Sequence, residues 1–589
     1  MPLIGVASSN ERLVEAFATD EAMQLNLLHG AAAKHSFGLT FGPYGHLVFN
    51  VILVTLRLMP GDLTDARIVQ TGRGICLLFA AATLWLTFVW TRRVFGTAAA
   101  WIALTALLVN PTLYSWAVVL KPDMAQLFFL MLALALTCRM ADEPHLRWLT
   151  LASAAAGLAF ACKYSGLFAL PIIGAVAVWR PIASERPAAQ VAALRALAAI
   201  FAISLIAGSL FLNLEWIASH LTEDGRIDAR VSQQLLAQLS MAARGCGLAL
   251  GAVASTRWLW SALRRRAQVL AVLWSWCIAS SVFVATFIIA SPYSLRKAAF
   301  VKGLFVEASD AAAPLSAEWL STWWQGVATA VEWPVLVAAL ATIAGLVWMI
   351  RRRHAQVNPA DAILIGWIAL YSLVLSAPVH EFYVHYALPL APPAAMLAGR
   401  GGVAAAEWLA AVFQRRAPAM IVLCAVVAAM DIPFAAQLQT KRTQLRNRER
   451  TSDAVFVGKW LECRVPSSAR IAYDYFSYVP PVFQDATPTW GGSREWLSRL
   501  DPDIVIVYSE TAGSVMEQAD HAEYYRCLAE QRCGYERVLS RGEFTLYGRS
   551  GQAGAMSTRP PAPDCNPNAV ADTSATDANI ARKGTSGNP

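Results

Sequence analysis

Apolar runs long enough to cross a membrane alternate with short arginine-bearing breaks along residues 68–436. That alternation predicts a polytopic all-α membrane domain of about 11–12 transmembrane helices. Runs over 68–91, 97–119 and 124–140 end at Arg92-Arg93, at Lys121-Pro122-Asp123 and at Arg139. The block 148–180 has cations at both ends, Arg147 and Arg180, and is overlong for one crossing. It reads as a hairpin of two short helices turning at Lys163-Tyr164-Ser165-Gly166. Further runs cover 196–217, 246–262, 269–290, 330–350, 361–378 and 418–436. Their cationic ends are Arg264-Arg265-Arg266, Arg351-Arg352-Arg353 and Arg415-Arg416.

On either side of this region the pattern changes. Residues 1–67 hold no convincing span; 44–59 are apolar but short, with Arg57 inside, and predict a helix lying along the membrane surface. Residues 437–550 alternate helix-like stretches with strand-like ones at 470–473, 503–508 and 543–548, which predicts a small soluble α/β domain on the outer side. From 551 to 589 the Pro, Ala, Ser, Thr, Asp and Asn composition predicts a disordered tail.

Composition supports this division. Of the 589 residues 56% are hydrophobic and 15% charged, and the mean hydropathy of +0.44 exceeds that of soluble globular chains. The net charge of +8 comes from Lys and Arg clustered between apolar runs, a positive-inside pattern and no sign of a nucleic-acid partner. Among the cysteines, Cys463, Cys527, Cys533 and Cys565 follow the last span, where an oxidising compartment permits disulfides.

If the arginine clusters face inward, Asp20, Glu21, Lys121, Asp123, Lys163, the 291–325 loop and the stretch from His380 to His385 all face outward. Charge where helices end in the interface is costly, and its usual explanation is a polar cavity or substrate path. Carboxylates there can serve as general base or cation ligand, and lysines can hold a phosphate. The rival reading of the set is a permeation path in a transporter or a lipid-linked sugar flippase. No internal repeat of the kind transporters carry is visible.

In order, the chain carries Thr19-Asp20-Glu21, Arg92-Arg93-Val94-Phe95-Gly96, Leu120-Lys121-Pro122-Asp123 and a Gly157-to-Gly166 stretch containing Lys163-Tyr164. Ser291-Pro292-Tyr293 and Tyr386-Ala387-Leu388-Pro389 follow. In this order the pieces resemble the GT-C membrane glycosyltransferases of the family 39 or protein-O-mannosyltransferase type, which include the lipid A aminoarabinose transferases. The resemblance implies inverting transfer of a hexosyl or pentosyl group from a polyprenyl-phosphate donor to an extracytoplasmic protein, lipid or glycan, at the bacterial inner membrane. It implies Asp20 as general base, with Glu21 and Asp123 positioning the acceptor or binding a divalent cation. Lys163 would contact the lipid phosphate, and Lys121, Tyr164, Tyr293, His385 and Tyr386 would join it in substrate binding.

Three departures stand out. The transmembrane helix that precedes the acidic pair in the family is not found, so a truncated or mis-started reading frame is expected. Phe41-Gly42-Pro43-Tyr44 stands where many members have an aromatic-Pro-Pro or Lys-Pro element. His385-Tyr386 replaces an Arg-Tyr pair, leaving His385 as either a phosphate contact or an interfacial histidine.

Overall fold

The computed structural model describes residues 4–34, 45–179, 267–291, 317–351, 358–376, 383–413, 435–449, 451–489, 492–509, 511–512 and 519–558. The expected spans at 196–217 and 246–262, most of that at 418–436, and Tyr293 lie outside these residues. In chain order the helices begin with α1 (Glu11–Phe17), α2 (Thr19–Ala33), α3 (Leu47–Leu58), α4 (Asp65–Phe95), α5 (Thr97–Leu108) and α6 (Pro111–Ala117). They continue as α7 (Asp123–Asp142), α8 (Leu146–Cys162), α9 (Ala169–Trp179), α10 (Ala267–Ala290), α11 (Ala317–Val331), α12 (Trp333–Arg351), α13 (Pro359–Leu375) and α14 (Ala391–Phe413). The fold is mostly helical, with a small sheet near the end of the chain.

The chain forms two compact units, one of residues 31–60 and 72–439, the other of 1–30, 61–71 and 440–589. Among the described residues, 4 helices are long and apolar enough to cross a membrane: 65–95, 123–142, 272–290 and 333–351. In the first unit, α7 and α8 form a hairpin whose open end brings the start of α7 to the end of α8. There Gln126 Nε2 donates to Ser165 Oγ, and Lys163 meets Asp123. The break after α8 falls at Lys163, and a 3-10 turn over Tyr164–Phe168 leads into α9.

The span expected over 97–119 is instead a bent pair, α5 and α6, turned by 65°. The cause is local. Pro111 cannot continue α5 and sits at the start of α6, where its missing N–H costs nothing. Asn110 caps α6 by accepting from Leu113 N at 2.7 Å, and its Nδ2 donates to Ala330 O at the end of α11 at 2.9 Å.

The second unit is built on a five-stranded sheet of order β2-β1-β3-β5-β4. Its strands are β1 (Ile471–Asp474), β2 (Ala486–Thr489), β3 (Ile504–Tyr508), β4 (Tyr535–Arg541) and β5 (Phe544–Arg549). β1 pairs in parallel with β2 and β3, and β5 runs antiparallel to β3 and β4. Ile471, Tyr473, Ile504 and Ile506 face a core shared with α15 (Asp453–Arg464), while Ala472 and Val505 face one containing Leu497 of α16 (Arg494–Leu500) and Tyr524 of α17 (Ala519–Ala529). A strand covered on both faces is buried throughout, as β1 is. Cys527 and Cys533 form a disulfide. A short helix, α18 (Ala553–Thr558), buries Ala553 and Met556, so ordered structure continues past residue 550, where composition alone ended the domain.

The first thirty residues belong to this same unit. Asn10 caps α1 by accepting from Leu13 N at 2.9 Å. Ala16 joins the sheet's core, and Leu13 packs with Val455. Arg12 Nη1 donates to Pro480 O at 2.9 Å and to Phe483 O at 2.6 Å. None of these partnerships shows in the sequence, because the partners lie more than 400 positions away.

Candidate active site

At the open end of the α7–α8 hairpin, Lys163 Nζ lies 2.9 Å from Asp123 Oδ1, and both side chains are buried. Asp123 occupies the first turn of α7, where the helix dipole favours a carboxylate. Lys163 is the residue at which α8 ends, in extended backbone conformation. Asp123 Oδ2 is buried and has no hydrogen-bond partner among the described residues. A carboxylate oxygen left without a donor costs free energy, and a ligand hydroxyl is the kind of group that removes that cost.

Other predicted residues gather here. Lys163 Nζ lies 4.9 Å from the centre of the Tyr386 ring, and Lys121 Nζ 4.6 Å from that of Trp116. Trp116 also packs on His385 at 4.0 Å between ring centres. His385 and Lys121 lie within electrostatic reach of Asp123. Tyr371 Oη donates to Tyr386 O at 3.1 Å and Trp367 Nε1 to Pro389 O at 3.0 Å, fixing the turn that carries His385 and Tyr386. Tyr164 packs against the apolar cluster of Ala161, Phe287 and Ile288. The structure thus brings together Lys121, Asp123, Lys163, His385 and Tyr386. Taken together, Lys121, Asp123 and Lys163 carry one more positive than negative charge, which suits an anion.

Sequence reasoning missed Trp116, Gln126 and Ser165 as members of this cluster. Gln126 carries the clearest signal, as a polar residue one turn beyond Asp123 in an otherwise apolar stretch.

Asp20 and Glu21 lie in the other unit, in the first turn of α2. Asp20 is half-buried and Glu21 buried. One turn further along, Gln24 is 1% exposed. Its Oε1 and Nε2 have no hydrogen-bond partner among the described residues. In the same unit, Glu15 Oε2 accepts from Tyr473 Oη at 3.0 Å, and burial raises the Glu15 carboxyl above its ordinary range. Burial pushes Asp474 up to about 7, against the hydrogen bonds it accepts from Tyr508 N and Tyr525 Oη.

The divalent cation expected at Glu21 or Asp123 finds no ready donor set. Among the described residues no three His, Cys, Asp or Glu side chains come together to hold a metal, and Asp123 Oδ1 is engaged by Lys163.

Residues 68–207 match the family model of dolichyl-phosphate-mannose-protein mannosyltransferase, a segment that includes Lys121, Asp123, Lys163 and Tyr164. This supports the GT-C resemblance drawn from the sequence. No curated protein matches the chain in sequence. Solved structures similar to it include ArnT from Cupriavidus metallidurans bound to undecaprenyl phosphate, at 13% identity and TM-score 0.44, covering 94% of this chain and 97% of that one. The apo Archaeoglobus fulgidus oligosaccharyltransferase is similar at 13% identity and TM-score 0.45, over 93% of this chain and 74% of that one.

Proposed function

We propose that this chain, a GT-C glycosyltransferase by the family match over residues 68–207, moves a sugar from a polyprenyl-phosphate donor to an extracytoplasmic acceptor with inversion. The observation that carries the proposal is the buried Lys163–Asp123 pair, flanked by Lys121, His385 and Tyr386, at the end of a hairpin inside the matched segment. A phosphate diester arriving there meets an excess of positive charge. Lys163 and Lys121 hold its oxygens, and Asp123 keeps the Lys163 ammonium oriented. As the acceptor oxygen bonds to the anomeric carbon, the bond from that carbon to the phosphate oxygen breaks. The phosphate leaves on the polyprenol with added negative charge, which the lysines stabilise.

The acceptor hydroxyl must lose a proton during this step, and Asp20 is assigned as the base that takes it. That role rests on the family resemblance, as do the second-carboxylate role of Glu21 and the binding role of Tyr293. No step is routed through a cation. The Cys527–Cys533 disulfide supports an oxidising, extracytoplasmic setting for the sheet domain, and the bacterial inner-membrane location rests on the family resemblance.

The test is reconstitution in proteoliposomes with a polyprenyl-phosphate sugar, measuring release of polyprenyl phosphate. Turnover by the wild type that is lost on Lys163→Ala supports the reading. Passage of the intact donor across the bilayer without cleavage would make the protein a flippase.

A further inference from the structure

Lys163 follows the last residue of α8, and two tight crossings hold the backbone around it. The first comes from the segment that opens α3. Gly45 N donates to Cys162 O at 3.2 Å. A Cβ at Gly45 would lie 2.0 Å from Ala161 O and 2.4 Å from its carbonyl carbon, so only a residue without a side chain allows this approach. Next, His46 N donates to Ser291 Oγ at 2.6 Å, and Ser291 Oγ donates to Ala161 O at 3.4 Å. Asn50 Nδ2 donates to Ala290 O, at the end of α10, at 3.3 Å.

The carbonyls of Ala161 and Cys162 are among the last four of α8, which have no partner within their own helix. Gly45 and Ser291 supply the donors. Beyond Lys163 the chain folds straight back: Gly166 N donates to Lys163 O at 3.0 Å, and a Cβ at Gly166 would lie 2.3 Å from Phe160 N. Lys163 is therefore fixed from before and after by backbone contacts, which a lysine needs because its four-carbon stem does not fix the ammonium by itself.

We propose that Gly45 and Ser291 are positioning residues for Lys163, setting the place of its ammonium beside Asp123 and so the affinity for the phosphate of the donor lipid. The inference rests on the phosphate-binding role given to Lys163 above. Neither residue touches the ammonium; both act on the carbonyls immediately before it.

The experiment measures binding of undecaprenyl phosphate to the full chain in detergent, without turnover, for the wild type, Lys163→Ala, Gly45→Ala, Ser291→Ala and Ser291→Thr. Gly45→Ala and Ser291→Ala are expected to weaken binding by roughly tenfold, as loss of good geometry in one charge-assisted hydrogen bond does. Ser291→Thr keeps the hydroxyl and restores most of the affinity. In a Lys163→Ala background the same substitutions have no further effect, since the group they position is gone. If Gly45→Ala does not fold, the two Ser291 variants decide. Wild-type protein that binds no undecaprenyl phosphate, or that binds it equally well after Lys163→Ala, overturns the phosphate-binding reading and this inference with it. Wild-type binding that Lys163→Ala weakens but Gly45→Ala and Ser291→Ala leave intact overturns the positioning role alone. Equal losses from Ser291→Ala in both backgrounds reduce the contact to general stability and overturn it as well.

Discussion

Tyr473 Oη donates to Glu15 Oε2 at 3.0 Å across 458 positions of sequence, in a buried setting. The contact joins residues near the start of the sequence to β1, an inner strand of the sheet domain, and the next strand residue, Asp474, is fully buried beside it. Both carboxyls are raised by burial, which disfavours their charged forms.

The stability of the sheet unit should therefore fall as pH rises. Asp474 in the folded chain titrates at about 7 against an ordinary value of 3.8, so the native state keeps a proton that the unfolded state releases. Its contribution is complete below pH 3.8, declines as pH rises from 3.8 to about 7, and is level above that. Asp474→Asn keeps a neutral group, with Oδ1 able to accept from Tyr508 N and Nδ2 able to donate to Tyr525 Oη. It should gain stability at pH 8, on the order of a few kcal/mol, and flatten the profile. Thermal unfolding from pH 4 to pH 8 checks this, and matching profiles for the two proteins would exclude Asp474 as the source.

Breaking the Lys163–Asp123 pair from one side leaves a buried charge. Lys163→Met and Asp123→Asn alone should each cost about 3–5 kcal/mol, and the double variant should recover most of it. Transfer activity should stay absent in all three. A double variant as unstable as the sum of the singles would show that the pair is not the coupled unit it looks to be.

Asn110 does two jobs at the bend between α5 and α6. Asn110→Ala should lower stability by roughly 1–2 kcal/mol, through the lost cap and the orphaned Ala330 carbonyl. Asn110→Ser keeps a capping oxygen and loses the donor, so its unfolding temperature should fall between those of the other two proteins. An unchanged unfolding temperature for Asn110→Ala would be the contrary result.

Gln24 carries a buried carboxamide with neither atom partnered among the described residues. Gln24→Met removes the desolvation cost at similar volume and should stabilise the chain by roughly 1–3 kcal/mol. Destabilisation measured in the same assay would mean that the carboxamide is satisfied in solution.

Asp20→Asn should abolish sugar transfer while leaving the unfolding temperature and undecaprenyl phosphate binding unchanged. Undiminished turnover would remove Asp20 from the base role.

Much of the membrane unit was legible because its physics is local. The interruption at Lys163-Tyr164-Ser165-Gly166 showed as charge at the middle of an overlong apolar block, and Lys121-Pro122-Asp123 as charge beside a helix start. The bend at Asn110-Pro111 was equally local, yet the continuous apolarity of 97–119 masked it. In the sheet unit, β1, β3 and β5 read as strands, whereas β2 did not, because Pro488 within Ala486–Thr489 argues against a strand anywhere but a sheet edge, where this one lies. β4 was missed because four of its seven residues, Tyr535–Arg541, are exposed and three are charged. The pairing of Asp123 with Lys163 was beyond reach of the sequence, since it depends on which helix ends meet.

The Glu15–Tyr473 contact also imposes an order of events on biosynthesis. The segment around Glu15 is translated before the membrane helices, and the strand that receives it is made after them. Until then Leu13, Val14 and Ala16 have no native surface to cover them, and closure of a loop this long is slow. A segment made before the membrane helices thus completes its folding only after them, and through that delay its apolar side chains stay exposed to non-native contacts.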